Sequence, residues 1–287
     1  MTTVTPSSTA AAPAQSFRQW RQGDSLDAAI TRAEQDVRSR PTDVPTRWFL
    51  FELLCVLGHW ERALKQLQTC ATMNPALDGT AQTMRGLIRA ERQREAVFAG
   101  TQMPVPVVDL SAWMTQLAEA LACNASADHD QADVLRAQAM SAAPEAGGRG
   151  DMGAFAWLAD TDSRLGPVCE LMAAGSYRWL AFTDIQRLQI DAPQRLLDLV
   201  WASAEITLYP DTPLKAYLPV RYPGTASAPG ANDALRLARE TIWREVGSTG
   251  VFAYGQKTWM TDHGDLPLLD VRELQFGPDT APAGDTA

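Results

Sequence analysis

Apolar positions in the first half of the chain recur at helical spacing; in the second half they do not. The segment DSLDAAITRAEQDVRSRPTD places Ala29 twelve residues before Pro41, and HWERALKQLQTCATMNPALD places Ala63 twelve residues before Pro75. The offset is 34 residues in both cases, which is the period of tetratricopeptide repeats. The residue types suit that spacing. Gly58 tolerates the positive φ of a tight turn between two helices. Ala63 is small enough for two helices to approach closely. Leu64, Leu67 and Cys70 or Ala71 continue an apolar stripe. Pro75 ends the helix because it has no amide hydrogen to extend one, and Pro45 sits where a first-turn proline is tolerated. Phe51 stands where such a repeat has a small residue.

Further helices are predicted over about 79–97, after Ser111 and after Ser126, with the two serines as caps. Pro144 and the glycines of PEAGGRG then end the helical half, which puts a domain boundary near residue 150. From Gly153 onward, short apolar or alternating runs are separated by Gly, Pro, Asp and Asn. Gly175–Ser176 and His263–Gly264 read as hairpin turns. These runs predict a mostly antiparallel β domain, with short helices near 184–200 and 232–240. Five of the nine tryptophans fall here, and in a small sandwich or barrel such residues form core. The expected fold class is α+β: a tetratricopeptide-like helical domain over 23–149, then a β-rich domain over 150–277. The Pro-, Ser-, Thr- and Ala-rich N-terminus predicts a disordered tail over 1–22, and a second is expected over 278–287.

Charge and composition narrow the function. The net charge is −9 over 287 residues, which argues against nucleic acid as a partner. Acidity is concentrated in residues 151–287, which carry 11 basic against 18 acidic side chains. The N-terminus lacks the basic and apolar regions of a signal peptide. The longest apolar run, WFLFELLCVLG, is broken by Glu52 and too short to span a bilayer. Cys55, Cys70, Cys123 and Cys169 show no metal-ligand spacing and read as buried thiols of a reducing cytoplasm.

One stretch invites a catalytic reading. FAWLADTDSRLGP carries an apolar run into Asp160, with Asp162 two residues on, as a magnesium-dependent phosphatase of the haloacid dehalogenase type presents its nucleophile. GDLPLLD passes for a second acidic motif. That fold needs alternating strands and helices around a parallel sheet, and a lysine to offset the charge on Asp160. Lys215 and Lys257, the lysines that follow, stand in no matching context. The plainer reading is a turn: Asp and Ser bond their own backbone, Gly166 and Pro167 close the loop, and Arg164 neutralises one or both acids. His59, His129 and His263 are isolated. No phosphate loop, Gly-x-Ser-x-Gly or zinc spacing occurs, so no cofactor is expected. The phosphatase stands as the alternative to a protein without catalysis.

RWFLFELLCVLGHWERALKQL, AERQREAVFAG, FAWLADTDSRLGPVCE, LPVRYPG (which contains Arg221) and LLDVREL occur in this order. Together they resemble the ImpE family, also called TagJ, of type VI secretion accessory proteins, over about residues 24–276. The resemblance implies a non-enzymatic cytoplasmic protein that binds the small sheath subunit TssB through that subunit's N-terminal helix. It further implies modulation of sheath assembly, or of sheath disassembly by the ClpV ATPase, and it brings no catalytic residues. A stack of helical hairpins leaves a groove suited to an amphipathic helix. The helical half is therefore the expected seat, with a tryptophan-rich β face as its rival.

Overall fold

The computed structural model describes residues 25–277; the tails expected over 1–22 and 278–287 lie outside the described residues. The fold is α+β, with helices first and antiparallel-rich sheets after. It divides into two compact units, residues 25–85 with Gln194–Leu197, and residues 86–193 with 198–277.

The first unit is built on α1 (Leu26–Ser39), α2 (Val44–Val56) and α3 (Trp60–Met73). Both ends of α3 fall 34 residues after those of α1, and Ala29 and Ala63 are each fully buried. Ser25 caps α1 by accepting from the Ala28 amide at 3.1 Å, and Asp43 caps α2 by accepting from the Thr46 amide at 2.9 Å. Between α2 and α3, Gly58 takes φ 71°, and the His59 amide reaches back to the Leu54 carbonyl at 2.8 Å. Pro75 opens a 3-10 turn, Pro75–Leu77, straight after α3, and α4 (Asp78–Phe98) follows. Helix α2 is buried on every side from Trp48 to Val56, as a helix apolar all round must be. Its one acid, Glu52, accepts from Trp48 Nε1 at 3.1 Å.

The units divide between Arg85 and Gly86, inside α4, rather than near residue 150 where helical periodicity ends. Periodicity reports secondary structure, whereas the boundary follows packing. The C-terminal half of α4 bonds to the strand hairpin over residues 168–181 through Arg89, Gln93 and Arg94, and in the hairpin of α5 (Ala112–Ala125) and α6 (His129–Ala142), α6 bonds to the turn at Ser248 and Thr249. Asp133 of α6 illustrates this. It accepts from the Ser248 amide and hydroxyl at 2.7 and 2.8 Å and from the Thr249 amide and hydroxyl at 3.2 and 2.7 Å, while Arg136 donates to it at 2.7 Å. Ser126 does not cap α6. It ends α5, Ala127 turns the chain at φ 62°, and the Asp128 carboxylate caps by accepting from the Gln131 amide.

The Ser248 amide, followed by the Thr249 hydroxyl, holds the Asp133 carboxyl well below the usual carboxylate range. A depressed folded-state pKa gives stability that is present above the unfolded value, about 4, and is lost as pH falls from there through the lower folded value. Asp133→Asn is therefore expected to be less stable than the parent at pH 7, with the gap closing as pH falls from about 5 to about 2. Urea unfolding at three pH values reads this, and a gap independent of pH would exclude Asp133 as the titrating group.

The β elements form one nine-stranded sheet, a three-stranded sheet and a two-stranded ribbon. The large sheet runs β1 (Val105–Pro106), β6 (Ser176–Ala181), β5 (Val168–Ala173), β9 (Thr212–Pro219), β8 (Trp201–Leu208), β7 (Ile185–Ile190), β14 (Glu273–Phe276), β2 (Gly148–Gly150), β3 (Gly153–Phe155). All pairs but β1 with β6 are antiparallel. The small sheet is β13 (Gly264–Pro267), β12 (Thr258–Thr261) and β4 (Leu158–Asp160); the ribbon is β10 (Thr241–Val246) with β11 (Gly250–Gly255).

Alternation is clean in β8, where Ala202, Ala204, Ile206 and Leu208 point into the core. In β7 the buried residues are Ile185, Leu188 and Ile190, because a bulge between Ile185 and Arg187 shifts the register. The short helix expected near 184–200 is replaced by a strand over Ile185–Ile190, followed by a short 3-10 turn at Leu196–Leu199. Near 232–240 the helix is one turn, Asp233–Arg236, capped by Asn232. The β5–β6 hairpin turns at Ala174 and Gly175, φ 51° and 69°, the paired left-handed geometry of a two-residue hairpin loop. Arg89 donates to the Gly175 carbonyl at 2.9 Å.

Candidate functional site

Asp160 and Asp162 do form a turn, and they also belong to a buried charge network. Asp160 ends β4, where its Oδ1 accepts from the Asp162 amide at 2.9 Å and the Tyr222 hydroxyl at 2.8 Å. Asp162 is fully buried and accepts from the amides of Arg164 and Ala253, each at 3.0 Å. The Arg164 guanidinium forks onto it at 2.8 and 2.5 Å and lies over the Phe252 ring, 4.4 Å from its centroid. Gly166 closes the loop at φ 54°, its carbonyl accepting from the Asp160 amide at 2.7 Å, and the Pro167 carbonyl accepts from Phe182.

Arg164 neutralises only Asp162. The cation at Asp160 is Lys257, whose Nζ lies 2.6 Å from Asp160 Oδ2 and 2.6 Å from Glu170 Oε2. This corrects the expectation that no lysine is placed to meet Asp160. Lys257 directly precedes β12, which pairs with β4, so the partner comes from 97 residues away. Glu170 on β5 also receives a fork from Arg94 of α4, Nε–Oε1 2.8 Å and Nη2–Oε2 2.9 Å, and a 2.6 Å bond from the Tyr177 hydroxyl. Arg94 donates as well to the Arg221 carbonyl at 3.0 Å, and Arg221 donates to the Arg236 carbonyl at 2.8 Å.

Burial sets the tone of these groups. It pushes the Asp160 carboxyl up to about 6, against the pull of Lys257. It opposes the Glu170 charge too, but there Arg94 and Lys257 prevail and hold the carboxyl well below the usual range. Burial likewise disfavours the Lys257 ammonium, and Asp160 and Glu170 override it and keep its pKa above the ordinary value. For the Lys257–Asp160 pair the two tendencies point apart. An ammonium between two carboxylates at 2.6 Å is an ion pair, and we assign it as one.

This arrangement fits a clamp better than a phosphoryl-transfer site. Asp160 and Lys257 are 3% and 2% exposed, and their oxygens and nitrogen face one another. The surrounding sheets are antiparallel, where the phosphatase pattern requires parallel strands alternating with helices. Among the described residues no group of three or more His, Cys, Asp or Glu side chains is placed to hold a metal ion. The network joins β4, β5, the start of β12 and the second half of α4, which is a structural task.

A surface feature of the same unit stands apart from this network. A groove of about 720 Å³ opens where β2 and β3 end the large sheet. Small residues, Gly147, Gly148, Ala154 and Ala156, line it beside the Phe155 and Phe276 rings, whose centroids are 6.0 Å apart. Tyr209 stands on its wall, 45% exposed, with its hydroxyl on the Phe276 carbonyl at 2.7 Å. Glu145, Asp262 and His263 supply its charged and titratable groups. The β12–β13 turn also covers the outer edge of β3: His263 Nε2 meets the Ala154 carbonyl at 2.7 Å, and Asp262 accepts from the Ala156 amide at 2.9 Å. None of these groove residues stands out in sequence except the His263 turn, because they come from six separate segments.

Among known proteins, the family described as ImpE protein matches residues 152–275. The type VI secretion system accessory component TagJ of Pseudomonas aeruginosa is 40% identical over 256 residues, which cover 89% of this chain and 89% of that protein. The crystal structure of protein VPA1032 from Vibrio parahaemolyticus superimposes with a TM-score of 0.81 at 26% identity, covering 88% of this chain and 94% of that one.

Proposed function

Because the chain belongs to the ImpE/TagJ family of type VI secretion accessory proteins, we propose that it is a non-enzymatic cytoplasmic adaptor that binds the N-terminal helix of the sheath subunit TssB. Through that contact it modulates sheath assembly or ClpV-driven disassembly. The single observation carrying this reading is the 40% identity to a type VI accessory component along 89% of the chain. Two further facts support it. No described helix is long and apolar enough to cross a membrane. The acidic motif that suggested catalysis is consumed in internal ion pairs.

A synthetic peptide matching the N-terminal helix of the cognate TssB is expected to bind without nucleotide or metal. A short segment that orders on binding loses several kcal/mol of its interaction energy, so a dissociation constant on the order of micromolar is expected. Titration calorimetry checks this. Absence of binding at about 100 μM peptide would remove the sheath-adaptor reading.

A further inference from the structure

Resting on that adaptor reading, we propose that the partner segment docks in the groove at the β2–β3 end of the large sheet, and that it is an amphipathic segment with basic side chains flanking its apolar face. The helical unit, where a groove was expected, spends its most apolar helix on its own core, since α2 is buried from Trp48 to Val56. The groove has the complementary character. Ala154 and the exposed Ala156 keep its wall low, and Phe155 with Phe276 makes its floor apolar. Tyr209 is a half-exposed aromatic anchored by its hydroxyl, a residue type that concentrates binding energy.

Charge selects the occupant. Glu145 and Asp262 are exposed at the rim, and no Lys or Arg lines the groove among the described residues. Residues 151–287 carry 11 basic against 18 acidic side chains, so the wider field has the same sign. An acidic segment would be repelled, while a basic one is steered in and held. The hydrogen-bonding edge of β3 is already met by His263 and Asp262, which favours side-chain docking of a helix over addition of a strand.

The test uses the full chain, the TssB N-terminal peptide, and a peptide with its Lys and Arg replaced by Gln. Two exposed groove positions are changed, Glu145→Lys and Ala156→Arg, with Lys215→Glu, on the exposed face of β9, as the control. Each groove variant is expected to weaken binding about tenfold or more, the control to leave it unchanged, and the Gln peptide to bind about tenfold more weakly. Parent affinity should fall as salt rises. Parent binding with both groove variants unimpaired would overturn the groove and leave the adaptor role standing. No binding by the parent or by a chain lacking residues 278–287 would sink the adaptor reading and the groove with it. Two other results would also overturn the proposal: a parent that is dimeric while Ala156→Arg is monomeric, which assigns the groove to a second copy, and binding only after removal of residues 278–287, which assigns it to the chain's own end.

Discussion

Glu170→Gln is expected to destabilise the β-rich unit by about 3–5 kcal/mol, although the two side chains have nearly the same shape. Glu170 is the shared anion of the buried network: it accepts the Arg94 fork at 2.8 and 2.9 Å and lies 2.6 Å from Lys257. An amide leaves Lys257 with Asp160 alone and Arg94 with only the more distant Glu91, at 3.7 Å, in a setting where all four side chains are buried. Removing one partner of a buried pair leaves an uncompensated charge, and that penalty exceeds what an intact pair contributes. For a unit of this size the loss corresponds to a fall in melting temperature of about 10 °C or more. Thermal unfolding followed by near-ultraviolet circular dichroism measures it. A melting point within about 2 °C of the parent would mean that water reaches these charges in solution.

Phe51→Ala is expected to be comparably damaging in the helical unit, at about 3–5 kcal/mol. Phe51 is fully buried, with the Trp48 ring 5.1 Å away at 60°. Its position on α2 faces neighbours on every side, so the cavity has no exposed flank through which to collapse. The unit is small, and small units bury too little surface to lose several kcal/mol and remain cooperative. Amide hydrogen exchange should show lost protection across 44–73 while the β strands keep theirs. Phe51→Leu, which keeps most of the volume, should cost less than about 1.5 kcal/mol. Equal protection in parent and Phe51→Ala would place Phe51 outside the load of the helical core.

The sequence alone determined what local chemistry decides. The 34-residue offset located α1 and α3, whose ends repeat at that interval. Gly58, Pro45 and Pro75 marked turns and helix ends because φ and the missing proline amide act within a residue or two. The alternation of apolar residues announced the antiparallel strands, and the Asp160–Asp162 turn was legible because such side chains bond their own backbone. The tertiary structure decided everything that depends on distant partners. A strand with a register shift between Ile185 and Arg187 stands where a short helix is expected. The unit boundary fell within α4, because packing, not periodicity, groups its second half with the sheets. Lys257 found Asp160 across 97 residues, and the groove gathered residues from six segments. Local rules act along the chain, whereas a buried charge takes whichever counter-charge the fold brings to it, and one sequence carries no record of that pairing.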